Sequence, residues 1–266
     1  MPSRSRSPLA FFALVYALSV PFWVIGAGTE QPLLPGLPAS ALMAVCPLVA
    51  ASMLAYRERR TAGVIALLER SFDYGRIRAK VWYVPVVLLM PAVATVAYAL
   101  MRATGLPLPT PRFPVLAPVM LIAFFVAGLA EELGWSGYVT DPLQDRWSAL
   151  GGGIVIGMTW AAWHLIPLVQ AHRTATWIAW WWLYTVGNRV LTVWLYNNTG
   201  RSVFAAALFH AMQNASWQLF PSYGSHWDPR LTGPIVAAVA TVVAVLWGPR
   251  TLALPRRLSS HHVSPT

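Results

Sequence analysis

Apolar residues run along the chain in eight long stretches separated by short polar breaks, at roughly 8–28, 37–56, 81–101, 113–138, 149–171, 177–196, 202–220 and 233–250. Each is about the 20 residues that an α-helix needs to cross a hydrocarbon core. The pattern predicts an all-α, polytopic membrane protein with about eight transmembrane helices, in a single membrane-embedded domain over 1–266. No internal repeat, low-complexity domain or appended soluble domain interrupts it. The first stretch reads as a retained span rather than a cleaved signal peptide, because it is long and carries Pro21 and Trp23 ahead of "GAGTEQP".

Composition agrees with that setting. Only 11% of the residues are charged, whereas a soluble domain carries about a quarter. Fourteen Trp and twenty-two Pro fit a protein with aromatic belts and proline within its helices. The single Cys46 excludes an intrachain disulfide framework and a cysteine zinc site, and reads as a small core hydrophobe.

Charge orients the spans. With an even number of spans both termini share one side. That side carries fourteen basic residues (Arg4, Arg6, Arg57, Arg59, Arg60, Arg70, Arg76, Arg78, Lys80, Arg146, Arg201, Arg250, Arg256 and Arg257) against four on the other (Arg102, Arg112, Arg173 and Arg230). The positive-inside rule then predicts a multi-pass protein of the cell membrane with both termini cytoplasmic. The net charge of +10 is spread over loops facing an anionic leaflet, so it implies a lipid partner and no nucleic acid. The long loop Arg57 to Lys80 holds "GVIALLERSF", readable either as an amphipathic surface helix or as a plain linker.

The stretch "GLAEELGWSGYV", Gly128 to Val139, places Glu131 and Glu132 side by side in a chain with nine acidic residues. The residues after them stay mostly apolar, so the helix should run on for one or two turns. Glu131 then lies ~10–13 Å inside the cytoplasmic end, at 1.5 Å per residue. Two carboxylates at that depth call for a cation, a proton or a metal. "TWAAWHLIP" in the fifth span offers His164, four residues after Trp160, and "LFHAMQNASW" in the seventh offers His210 and Asn214 on one helix face. Depths of ~15 Å for His164 and ~12 Å for His210 bring these groups to one level. Each histidine alone reads equally as a satisfied core residue.

These residues carry a family resemblance. The chain resembles the CPBP family of intramembrane proteases, also called Abi or CAAX-protease-like, which includes the type II CAAX prenyl endopeptidase. The hallmarks of that family are Glu-Glu-x-x-x-Arg, Phe-x-x-x-His and His-x-x-x-Asn, in that order. Here "EELGWSGY" matches the first at Glu131 and Glu132, "WAAWHL" the second with Trp160 in place of Phe, and "HAMQN" the third at His210 and Asn214. "WLYNNTGRSVFAAALFHAMQN" resembles the approach to the last motif, and the likeness covers a motif-bearing core over about 113–217.

The resemblance implies an intramembrane endopeptidase that cleaves membrane-associated peptides or protein tails. It implies that Glu131, assisted by His164, activates a water, while His210 and Asn214 stabilise the oxyanion and Glu132 and Trp160 support the site. The expected mechanism needs no cofactor. Zinc held by two His and a Glu is the alternative, although no His-Glu-x-x-His helix is present. One position departs from the pattern: Ser136 stands where the family has Arg. Glu132 thereby loses its i,i+4 counterion, and Ser136→Arg is expected to keep or raise activity. Arg189 in the sixth span either substitutes for that arginine or snorkels away from the site. Two further readings stay open at this level: a catalytically silent homologue acting as a binding or immunity protein, and a small proton-linked transporter.

Overall fold

The computed structural model describes residues 6–29, 31–34 and 37–253. Every predicted span finds a helix in its place. The α-helices are α1 (Pro8–Ala27), α2 (Cys46–Leu68), α3 (Tyr83–Ala103), α4 (Ala117–Gly134), α5 (Thr140–Trp163), α6 (Leu165–Gln170), α7 (Ala175–Asn198), α8 (Val203–Gln218) and α9 (Pro229–Trp247). Short 3-10 turns cover Ala39–Val45, Glu69–Arg76 and Lys80–Trp82. The protein is an all-α, polytopic membrane protein.

Five helical stretches among the described residues are long and apolar enough to span a bilayer by length and composition: Pro8–Ala27, Ala39–Arg76, Lys80–Ala103, Ala117–Trp163 and Pro229–Trp247. The fourth has 47 residues and holds the fourth and fifth predicted spans. The sixth and seventh correspond to α7 and α8, which fall short of that test for a physical reason. The first buries Thr185, Asn188, Arg189 and Thr192, and the second is 16 residues long and buries His210, Gln213 and Ser216. Helices with such polar faces belong in a bundle interior, screened from lipid by neighbours.

The sequence places a loop after the fourth span, but the structure continues as helix. From Gly134 the chain passes through a π-helical turn, Trp135–Val139, straight into α5. A break follows at Trp147 and Ser148, where Ser148 has φ +70°. The Ser148 hydroxyl accepts from the Gly151 N–H at 3.3 Å and so caps the second half of α5. The loop beginning at Arg57 is helical as well. Past non-helical backbone at Arg59 and Arg60, α2 continues to Leu68 and leads into the 3-10 turn. This segment leaves Ile65, Leu68, Phe72 and Tyr74 exposed, a surface-helix pattern rather than a plain linker.

Close approach between helices sets the bundle interior. A Cβ at Gly128 would lie 3.3 Å from the Cβ and Cγ of His210, so glycine there lets α8 press against α4. A Cβ at Gly157 would lie 2.9 Å from the Cα of Val186 and 3.3 Å from the Cβ of Arg189, which brings α7 onto α5 in the same way. Arg4, Arg256, Arg257 and both chain ends lie outside the described residues, so the orientation of the termini is carried by the charge pattern alone.

Candidate active site

The α4 helix does run past its glutamates, as the apolar residues after them predict. Successive residues on an α-helix are rotated by about 100°, so Glu131 and Glu132 leave the backbone in different directions and meet different partners.

Glu132 is fully buried and its carboxylate is enclosed by donors. Arg189 of α7 reaches it with both terminal nitrogens, Nη1 to Oε1 at 2.5 Å and Nη2 to Oε2 at 3.2 Å. The Ser136 hydroxyl, one turn along the same helix, donates to Oε2. The Nδ1 of His210 lies 3.0 Å from Oε1. A fork-on-carboxylate pair with added donors is the arrangement that offsets the cost of burying both charges. Of the two readings of Arg189, pairing and snorkelling, the structure shows pairing. The counterion comes from α7, and Ser136 serves the same carboxylate as a neutral donor.

Glu131 is treated differently. Its Oε2 accepts from the indole Nε1 of Trp160 at 2.7 Å. Its Oε1 faces the Nε2 of His210 at 3.9 Å, too far for a direct hydrogen bond. His210 therefore stands between the two carboxylates, with Nδ1 engaged by Glu132 and Nε2 turned toward Glu131.

His164 ends α5. Its Nδ1 lies 2.9 Å from the carbonyl of Trp160, and its ring packs at 4.2 Å from the Trp160 ring and 5.6 Å from that of Trp181. No direct hydrogen bond joins His164 to Glu131; Trp160 bridges them, with its N–H on the glutamate and its ring face on the histidine. The tryptophan that replaces the motif Phe thus carries a polar role that Phe cannot supply. Asn214 lies one turn beyond His210 on α8, half-buried, and no hydrogen bond to its side chain is formed within the described residues.

The structure brings Glu131, Glu132, Trp160, Ser136, Arg189 and His210 into direct contact, with His164 joined through Trp160. Trp181, whose ring packs on those of Trp160 and His164, has no hydrogen-bond partner for its Nε1, and further along α7 and α8 the same holds for Thr185 Oγ1, Asn188 Oδ1 and Gln213 Nε2. Asn188 and Gln213 also bond to each other. Of this α7 face the sequence singles out only Arg189; an asparagine beside it within an apolar span is a further signal of a polar face. Among the described residues no three His, Cys, Asp or Glu side chains are grouped to hold a metal ion. The contact of His164 Nδ1 with a backbone carbonyl leaves its Nε2 as the nitrogen that faces other partners.

Two comparisons with known proteins give matches to the sequence. A family model described as "Type II CAAX prenyl endopeptidase Rce1-like" matches residues 113–216, the stretch that carries all three motifs. The CAAX prenyl protease 2 of Methanococcus maripaludis is 26% identical over 248 residues, covering 82% of this chain and 86% of the relative.

Proposed function

We propose that this chain, which these matches support as a member of the CPBP or CAAX-protease-like family, is an intramembrane endopeptidase that uses Glu131 as its general base. The observation that carries this reading is the unequal treatment of two adjacent carboxylates. Glu132 is held by Arg189, Ser136 and His210, whereas Glu131 has one oxygen fixed by Trp160 and the other free of hydrogen bonds among the described residues.

The chemistry follows from those contacts. Glu131 Oε1 takes a proton from a water as the water oxygen bonds to the scissile carbonyl carbon. The C–N bond then breaks, and the same proton passes to the leaving nitrogen. Trp160 fixes the carboxylate so that the acting oxygen points toward His210 and α8. In its doubly protonated form His210 donates Nε2–H to the developing oxyanion, and the Asn214 amide offers a second donor from the next turn. Preorganised donors in a site poor in water contribute several kcal/mol to such a transition state. His164 acts at one remove, by holding the Trp160 ring that orients Glu131. The motif-bearing core over 113–217 is the catalytic part of the single membrane-embedded domain, no metal takes part, and water must reach Glu131 from the cytoplasmic side.

The substrate class is a membrane-associated peptide or protein tail. The name of the archaeal relative refers to prenylated tails, so a quenched fluorogenic prenylated C-terminal peptide is the first probe. In detergent or proteoliposomes the wild type should cleave it, and Glu131→Gln, which keeps the shape and removes the base, should lower kcat by about 10²–10⁴-fold. Wild-type turnover retained in Glu131→Gln would end the general-base assignment. A wild type that binds such tails without cleaving them would instead favour the silent-homologue reading.

A further inference from the structure

The Glu-Glu pair is completed from a helix that carries none of the three motifs. Arg189 is buried in the middle of α7 and 3% exposed. Its guanidinium does not snorkel; it closes on both oxygens of Glu132, at 2.5 and 3.2 Å. Gly157 on α5 makes room for it, since a Cβ there would lie 3.3 Å from the Arg189 Cβ. The carboxylate so held is the one that meets Nδ1 of His210 at 3.0 Å, and the opposite nitrogen of that ring faces Glu131. Hydrogen bonds therefore run from Arg189 through Glu132 to His210, whose Nε2 stops 3.9 Å short of Glu131. Ser136, one turn after Glu132, approaches the same carboxylate from the position where the resembled family has its arginine.

We propose that Arg189 is the positioning residue of this site: it fixes Glu132, and through it the plane of the His210 ring, in the role that an arginine at position 136 would otherwise fill. The inference rests on the peptidase reading above. Its particular consequence is that positions 136 and 189 are exchangeable as sources of one guanidinium but cannot both supply it. One carboxylate offers the guanidinium fork a single face-on site, and two buried guanidinium groups on one carboxylate leave a charge uncompensated. An arginine at 136 alone is then harmful, contrary to what the sequence suggests.

The experiment is a mutant cycle read by kcat, KM and melting temperature in detergent, with the prenylated peptide as probe. Arg189→Met should lower kcat by about 10²-fold, the scale of a misplaced catalytic group, with KM changed by less than about threefold. Arg189→Lys, which keeps the charge and loses the fork, should fall between it and wild type. Ser136→Arg should lose turnover and melt earlier. The double variant Ser136→Arg/Arg189→Met should regain at least about tenfold in kcat over Arg189→Met and recover its melting temperature, a non-additivity expected only of groups that share a partner. A merely structural Arg189 would lower the melting temperature while leaving kcat per folded molecule unchanged, and Ser136→Arg would not rescue it; either result overturns the inference. Wild-type turnover separates the two levels of failure. No cleavage by the wild type sinks the peptidase reading and the inference with it, whereas cleavage by wild type and Arg189→Met alike sinks the inference alone.

Discussion

The polar network around Asp73 and the one around Glu131 use similar side chains, yet they are finished differently. Asp73 lies in the turn after α2 and sits on the N-terminus of α8. Its oxygens accept from the Ser202 hydroxyl at 2.7 Å and from the N–H groups of Val203 and Phe204 at 3.1 and 3.0 Å, with Arg70 and Arg76 alongside at 3.7 and 3.6 Å. Arg70 continues outward to the Tyr196 hydroxyl and to the carbonyls of Gly137 and Arg201. Arg6 joins it on the carbonyls of Gly137 and Tyr138 in the π turn. This network directs its hydrogen bonds onto the fold, leaving only Arg70 Nε among these groups without one, and it satisfies backbone groups that a helix start and a π turn leave over.

Around Glu131 hydrogen-bonding capacity is left open. The Glu131 Oε1 and the Asn214 amide have no hydrogen-bond partner among the described residues, and the Trp181 Nε1 beside Trp160 is unpaired as well. Buried polar groups are nearly always paired in proteins. A carboxylate with one oxygen left open is available to a partner other than the chain itself. The lesson lies in Glu132, which belongs to the first kind although it touches a residue of the second kind. Adjacency in sequence does not make two glutamates equivalent.

The sharpest way to break this comparison is to remove a group that the fold does not use. Asn214→Ala should cost about 10²–10³-fold in kcat, the usual worth of one oxyanion donor, with the melting temperature near wild type. A loss of stability instead of turnover would move Asn214 into the closed network. The converse experiment is Asp73→Ala, which should destabilise by about 1–2 kcal/mol because the Val203 and Phe204 N–H groups at the start of α8 lose their acceptor, and should leave kcat per folded molecule unchanged. Chelation should have the smallest effect, with no change in turnover. Loss of activity that zinc restores would show that the open groups await a metal.

Much of this was legible in the sequence, for identifiable reasons. The span positions followed from apolar run length, because a bilayer sets helix length directly. Glu131, Glu132, His164, His210 and Asn214 stood out because polar groups in apolar spans are rare. The partner of Glu132 was not legible. Arg189 could be named as a candidate, but choosing between pairing and snorkelling depends on which face α7 presents to α4, and hydropathy does not report rotation about a helix axis. The bridging role of Trp160 was hidden in the same way, since a ring replacing a Phe gives no sign of where its N–H points. The π turn also lay beyond reach. It shifts the phase of the helix just where Ser136 meets Glu132, and no residue from Trp135 to Val139 announces it.

The division of labour between the two glutamates is the centre of this account, and melting temperatures test it most directly. Glu131→Gln and Glu132→Gln should be purified in the same detergent and unfolded side by side with wild type. Glu131→Gln removes a buried charge that the fold leaves only partly compensated, so it should melt at or above wild type. Glu132→Gln leaves the Arg189 guanidinium buried without its counter-charge, a loss on the order of 3–5 kcal/mol, and should melt well below both. A Glu131→Gln protein that melts lower than Glu132→Gln would contradict the account, because the half-open carboxylate would then be the one that holds the fold together.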